Sequence, residues 1–124
     1  RCVFNEDVEI LLLAGHQHEM GTRFDIAPYD GETGEVGEVF FSNDDWHTPD
    51  ITQYEPPRVV PAGQGFEWTC EWNNTTSNVV QYGNEATDEM CNMAVVFQPV
   101  EGMISMSAAC EVVETSDGVL WQDD

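Results

Sequence analysis

The sequence predicts an all-β fold, an antiparallel β-sandwich of the jelly-roll kind with two disulfides, in a single domain over residues 1–124. Three observations support this prediction. Apolar and polar residues alternate over short segments, clusters of turn-forming residues separate those segments, and no segment combines an apolar helical stripe with a cap. A chain of 124 residues is also about the size of one ordinary domain.

The clearest predicted strand is G-F-E-W-T-C-E-W, where three aromatic residues and Cys70 share one face while Glu67 and Glu71 share the other. A second alternation runs from Glu9 to Ile26. Its even positions carry mostly apolar residues together with His16 and His18, so both histidines are predicted to point toward the apolar side.

The other predicted strands are separated by turn-forming clusters. They are Glu35 to Phe41, Arg58 to Pro61, Asn78 to Tyr82, Met90 to Phe97, Met103 to Val113 and Val119 to Trp121. The clusters between them include D-G-E-T-G at Asp30, S-N-D-D at Ser42, E-P-P-R at Glu55 and W-N-N-T-T-S at Trp72.

Charge excludes two classes of partner. The chain has 24 carboxylates, three arginines and no lysine, which gives a formal net charge of −21. Nucleic acid and anionic membranes would both be repelled by such a surface. The longest apolar run, I-L-L-L-A from Ile10, is far shorter than a membrane span requires.

The cysteines point to an oxidising compartment. Four cysteines occur without a C-x-x-C pair, which favours two disulfides over a zinc or thioredoxin-like motif, although three connectivities remain open. We therefore expect a secreted, periplasmic or extracellular protein. Since the chain begins at Arg1, we expect either a mature, processed protein or a piece of a longer one.

The histidine pair predicts a metal site. Two imidazoles at i and i+2 can converge on one ion, although each could instead be a hydrogen-bonded core residue. A third donor is available in D-E-M-C-N, where alternation places Met90 and Asn92 on one face and turns Glu89 away. A thioether ligand selects copper, especially Cu(I), but composition alone does not single out this methionine among five.

These motifs together resemble a known family. H-Q-H, then Y-E-P, the G-x6-C spacing from Gly63 to Cys70, the V-x-x-G spacing from Val80 to Gly83, and D-E-M-C-N are similar to the C-terminal domain of the copper type II, ascorbate-dependent monooxygenases. That family includes peptidylglycine α-hydroxylating monooxygenase and dopamine β-monooxygenase. The resemblance covers nearly the whole chain, and D-E-M-C-N is its most specific element.

The resemblance implies a ligand set and partners. It implies that His16, His18 and Met90 hold one oxygen-activating copper ion beside the substrate C–H bond. It also implies O2 and an external reductant such as ascorbate as partners, an upstream copper-binding domain, and disulfides between Cys2 and Cys110 and between Cys70 and Cys91.

The sequence also departs from the family. Complete members bind a second copper through three further histidines, whereas here His47 is the one histidine outside the pair. We therefore expect the isolated chain not to be catalytically competent alone. His47 lies in a polar stretch beside Trp46 and is expected to be an exposed loop residue, with an extra-ligand or ligand-supporting role as the alternative.

The substrate of this chain is expected to differ from that of the peptide-amidating members. Those members grip a substrate carboxylate with an arginine and a tyrosine at positions that are Ala14 and Ala94 here, while the substrate-binding asparagine is kept as Asn92. We therefore expect an amine or neutral substrate. Two alternatives remain: a non-enzymatic exported module that handles copper or binds a partner, and a metal-free sandwich whose histidines are core residues.

Overall fold

The computed structural model describes residues 1–100 and 108–114, and these residues form eight β-strands and no helix. None of the described residues therefore forms a helix long and apolar enough to cross a membrane. The strands are β1 (Cys2–Phe4), β2 (Val8–His16), β3 (Gly21–Asp30), β4 (Phe41–Asn43), β5 (Ile51–Val60), β6 (Gln64–Trp72), β7 (Asn92–Pro99) and β8 (Cys110–Val112).

Two antiparallel sheets make up the fold. One has five strands in the order β4-β3-β6-β1-β8, and the other has three in the order β5-β2-β7. Every strand pair in both sheets is antiparallel. Disulfides join Cys2 to Cys110 and Cys70 to Cys91. The predicted all-β sandwich and both predicted disulfides are thus confirmed.

Aromatic and branched side chains from both sheets meet in one core. The Phe4 ring, from the five-stranded sheet, packs edge-on against Phe66 at 5.9 Å and against Phe97 of the three-stranded sheet at 5.1 Å. Such edge-to-face contacts add to the burial of apolar area, which is the main force holding the sheets together. The other fully buried members of the core include Val8, Ile10, Leu13, Phe24 and Ile26.

A β-bulge in β2 changes which residues face the core. The pairing of β2 with both neighbours shifts register between Ile10 and Leu12. Val8 and Ile10 are buried before the shift, whereas Leu13 and Gly15 are buried after it. A bulge inserts one unpaired residue and so reverses the inside-outside alternation beyond it. The predicted alternation from Glu9 to Ile26 is therefore correct at Ile10, reversed from Leu13 to Gln17, and correct again at Phe24 and Ile26 of β3.

The strand β5 contains a segment that was predicted to be a turn. Its E-P-P-R run lies within Ile51–Val60, and the register jumps there, because Ile10 pairs with Arg58 while Leu12 pairs with Gln53. Prolines donate no ladder hydrogen bond, and β5 lies at a sheet edge, where such residues are tolerated. The predicted turn at Glu55 and the predicted boundaries Arg58 to Pro61 are both wrong.

Three other strand predictions differ from the structure. The segment predicted as a strand from Glu35 to Phe41 has one isolated β-bridge, at Val36, before β4 begins at its last residue. The segment predicted from Asn78 to Tyr82 has one isolated β-bridge, at Tyr82. The predicted strand from Met90 begins two residues later, at β7. The described part of the segment Met103 to Val113 contains β8, while its first five residues and Val119 to Trp121 lie outside the described residues.

Candidate metal centre

The two histidines of H-Q-H lie at the end of β2, not along one strand face. His16 is the last residue of β2, and His18 lies in the turn before β3, where its carbonyl accepts a 2.9 Å hydrogen bond from the Gly21 N–H. Because the bulge has reversed the alternation, His16 is exposed instead of facing the core. The two rings still meet, with centroids 5.1 Å apart and planes nearly perpendicular.

Gln17, between the histidines, is the residue that points inward. It is 3% exposed, and its Nε2 donates to the backbone carbonyls of Arg23 and Glu71, each at 3.0 Å. This amide therefore ties the turn to β3 and β6. Gly21 is needed opposite it, because a Cβ there would lie 2.6 Å from the Gln17 Cβ. Alternation alone does not predict this role, because it assigns the even positions to the interior.

Hydrogen bonding defines which nitrogen of His18 is available. Its Nδ1 lies 2.8 Å from the backbone carbonyl oxygen of Asp88. A carbonyl accepts hydrogen bonds only, so Nδ1 carries the proton and donates it. The lone pair of the neutral ring is then on Nε2, the arrangement in which a carbonyl orients a metal-binding histidine.

Met90 is held at the same edge of the sandwich by its neighbours. The adjacent Cys91 is disulfide-bonded to Cys70 of β6, and its carbonyl accepts a 3.1 Å hydrogen bond from Trp68 Nε1. The Met90 sulfur accepts a 3.4 Å hydrogen bond from Asn92 Nδ2. These three interactions fix both the backbone and the thioether end of the methionine.

Asn92 connects the methionine to the histidine pair. As the first residue of β7, it lies directly opposite His16 in the β2–β7 ladder, so the two side chains share the outer face. Its Oδ1 accepts from the Tyr82 hydroxyl at 3.3 Å, while its Nδ2 faces the Met90 sulfur. The structure thus brings His16, His18, Asn92 and Met90 together.

Glu89 is a buried carboxylate at the centre of this arrangement. It is 9% exposed. Its Oε1 accepts from the His18 N–H at 2.9 Å and from Trp72 Nε1 at 2.8 Å, and its Oε2 accepts from the Met20 N–H at 2.9 Å. Sequence alternation turns this residue away from the site, but residues 88–91 do not form regular strand, so alternation does not apply to them.

His47 makes its described contacts elsewhere. Its ring packs edge-on against Trp46 at 5.4 Å, and its N–H donates to Asp45 Oδ1 at 3.0 Å. The residue is exposed, as expected for a loop histidine. Neither of these contacts connects it with His16, His18 or Met90, and its role as an extra ligand remains a prediction.

The electrostatic environment favours a neutral His16 ring. Partial burial of the imidazole lowers its pKa, the neighbouring His18 lowers it further, and the Glu89 carboxylate opposes both. The desolvation is partial, because His16 is an exposed residue by surface area. A neutral imidazole is the form that binds a metal ion.

The candidate donors at this edge are nitrogen and sulfur atoms. Among residues 1–100 and 108–114, no three His, Cys, Asp or Glu side chains cluster tightly enough to hold a metal ion. The Met90 thioether at this edge is the candidate third donor beside the two imidazoles. Soft thioether and imidazole ligands suit copper, and Cu(I) in particular.

The fold and this cluster define a class: a disulfide-bonded antiparallel β-sandwich domain with imidazole and thioether donors at one edge. Residues 2–119 match the family model described as "Copper type II ascorbate-dependent monooxygenase, C-terminal domain". The chain belongs to this family of copper-dependent, ascorbate-using monooxygenases. Comparison with curated proteins gave no match.

Proposed function

We propose that the chain binds one copper ion through His16, His18 Nε2 and the Met90 sulfur, and serves as the oxygen-activating copper domain of an exported monooxygenase. One observation carries the proposal. The H-Q-H and D-E-M-C-N segments, about 70 residues apart in the chain, are bonded to each other, with His18 Nδ1 2.8 Å from the Asp88 carbonyl.

The residues of the chain would orient the ligands before copper arrives. Asp88 fixes the His18 tautomer, the Cys70–Cys91 disulfide anchors the Met90 backbone, and Asn92 Nδ2 contacts the sulfur. When bound, copper would supply activation of O2 for hydroxylation of a C–H bond, with electrons from ascorbate or another external reductant. Preorganised ligands reduce the ordering that metal binding must otherwise impose.

The surface beside the site favours a substrate without a carboxylate. Ala14 and Ala94 lie directly opposite each other, two residues along the ladder from His16 and Asn92. The next pair on this face is Leu12 and Val96. Small apolar side chains offer no counter-charge to an anion, and the chain's net charge of −21 repels one. We therefore expect an amine or a neutral, partly apolar substrate.

Loss of the Met90 thioether is expected to weaken Cu(I) binding without unfolding the sandwich. Met90→Ala removes a soft ligand from a half-buried position outside the core cluster. We expect Cu(I) affinity to fall by more than about 10-fold, measured anaerobically against a competing chromophoric chelator. Near-UV circular dichroism should keep the native spectrum.

Met20→Ala is the matched control for Met90→Ala. Met20 lies in the same turn as the histidines, but its described bond to Glu89 uses the backbone N–H, which the substitution preserves. The control should bind Cu(I) like the wild type. Equal affinity in wild type and Met90→Ala would reject Met90 as a ligand, and a loss confined to Met20→Ala would transfer the role to Met20.

The rival function is copper handling without catalysis. It is supported by the histidine content, because three histidines cannot supply both this site and a second three-histidine site. Oxygen consumption with ascorbate and copper, coupled to product formation on candidate amines and neutral compounds, separates the two functions. We expect turnover when the partner domain that carries the second site is present. Tight copper binding with no coupled product under that condition would favour the rival.

A further inference from the structure

Glu89 makes an unusual set of hydrogen bonds for a buried carboxylate. Its oxygens accept from the backbone N–H groups of His18 and Met20, from the indole N–H of Trp72 and, at 3.4 Å, from the backbone N–H of Met90. All four donors are neutral. The arginine ion pairs described in the structure involve Glu67, Glu114 and Asp25 instead. The negative charge of Glu89 is thus solvated by dipoles and is not neutralised by these cations.

The position of these donors gives the carboxylate a mechanical role. His18 and Met20 lie in the turn between β2 and β3, outside the regular strand ladder. Trp72 is the last residue of β6, and Glu89 itself directly precedes Met90. One carboxylate therefore joins the histidine turn, the end of a neighbouring strand and the methionine segment.

The same position gives it an electrostatic role. The proposed ligands, two imidazoles and a thioether, are all neutral, so they leave the charge of a bound copper ion uncompensated. A buried negative charge close to the ligands interacts strongly, because the surroundings have a low effective dielectric. Its attraction for Cu(II) is twice that for Cu(I) at the same place, since Coulomb energy scales with the charge of the ion.

We infer that Glu89 is the positioning residue of the copper site. It holds the His18 turn against the Met90 segment. Its negative charge stabilises Cu(II) and so opposes the preference of the neutral ligands for Cu(I). The inference rests on the proposed copper function. To that function it adds a residue that binds no metal itself but sets both the geometry and the reduction potential of the site.

The test is Glu89→Gln, which keeps the size and one carbonyl acceptor but removes the charge. We expect Cu(I) affinity to fall about 10-fold and Cu(II) affinity about 100-fold, both measured by competition titration. The reduction potential should therefore rise in the variant. Glu19→Gln is the matched control, because it removes the same charge from an exposed residue next to His18. This control should change either affinity by less than about twofold, since exposed charges are screened.

Equal losses of Cu(I) and Cu(II) affinity in Glu89→Gln would overturn the electrostatic role. A merely structural carboxylate would produce that result. If the wild type binds no copper, the proposed function fails. If the wild type binds copper and the variant matches it, this inference alone fails.

Amide hydrogen exchange of the copper-free wild type tests the positioning role whether or not the variant folds. The N–H groups of His18 and Met20 should be protected, although they lie outside the strand ladder, because Glu89 accepts both. In Glu89→Gln the protection of these two amides should fall while strand amides keep theirs. Rapid exchange of both amides in the wild type would overturn the positioning role.

Discussion

His18→Ala should abolish tight Cu(I) binding. The substitution removes one of three proposed ligands and also the bond between Nδ1 and the Asp88 carbonyl, which joins the two ligand-bearing segments. Loss of a group that merely supports a ligand typically costs 10- to 100-fold in metal affinity, so loss of the ligand itself should cost more than about 100-fold. An anaerobic competition titration should find one tight equivalent in the wild type and none in the variant.

His47→Ala is the matched control for this experiment, because it removes an exposed imidazole whose described contacts are with Trp46 and Asp45. It should retain the tight equivalent, and His16→Ala should lose it. A loss of binding in His47→Ala would instead establish the alternative role considered for that histidine. Retention of tight binding in both His16→Ala and His18→Ala would reject the copper site.

Removing the Cys70–Cys91 disulfide should weaken copper binding as well as lower the free energy of unfolding. The chain-entropy model gives about 3 kcal/mol for a loop of this length, whose cysteines are 21 residues apart. The double variant Cys70→Ala/Cys91→Ala should therefore lose about 3 kcal/mol of unfolding free energy. Because Cys91 adjoins Met90, the folded fraction should also bind Cu(I) more weakly.

The other disulfide provides the comparison. Cys2 and Cys110 are 108 residues apart, for which the same model gives about 5 kcal/mol. Cys2→Ala/Cys110→Ala should therefore be the less stable double variant in urea unfolding, yet its folded fraction should bind Cu(I) like the wild type. This disulfide joins β1 to β8, away from the ligand segments. Equal copper affinities in the two double variants would show that the Cys70–Cys91 disulfide does not position Met90.

Much of the fold was predictable because the relevant signals are local. Alternation in G-F-E-W-T-C-E-W identified β6, where Phe66 is buried and Trp68 and Cys70 pack against the core. The family was predicted from its motifs and the disulfide pairing was implied by that resemblance, and both are confirmed. The short strands β1 and β4 were not predicted, because three residues are too few to display an alternation.

The site was less predictable because its geometry depends on irregular backbone. No local sequence pattern predicts the β-bulge after Ile10. Because of that one inserted residue, Gln17 faces inward and His16 faces outward. Alternation turned Glu89 away from the site for a related reason, since its segment is not regular strand. Alternation holds only where the ladder is uninterrupted.

The sequence by itself determined the class of fold, the cysteine pairing through family resemblance, the acidic charge and the set of candidate ligands, because residue types and spacings carry that information directly. The tertiary structure decided which face the histidines occupy and which His18 nitrogen is free. It also decided which carboxylate accepts hydrogen bonds from the backbone N–H groups of His18 and Met20. These properties depend on contacts between segments some 70 residues apart, such as those of His18 with Asp88 and Glu89, and the packing of the two sheets brings such segments together.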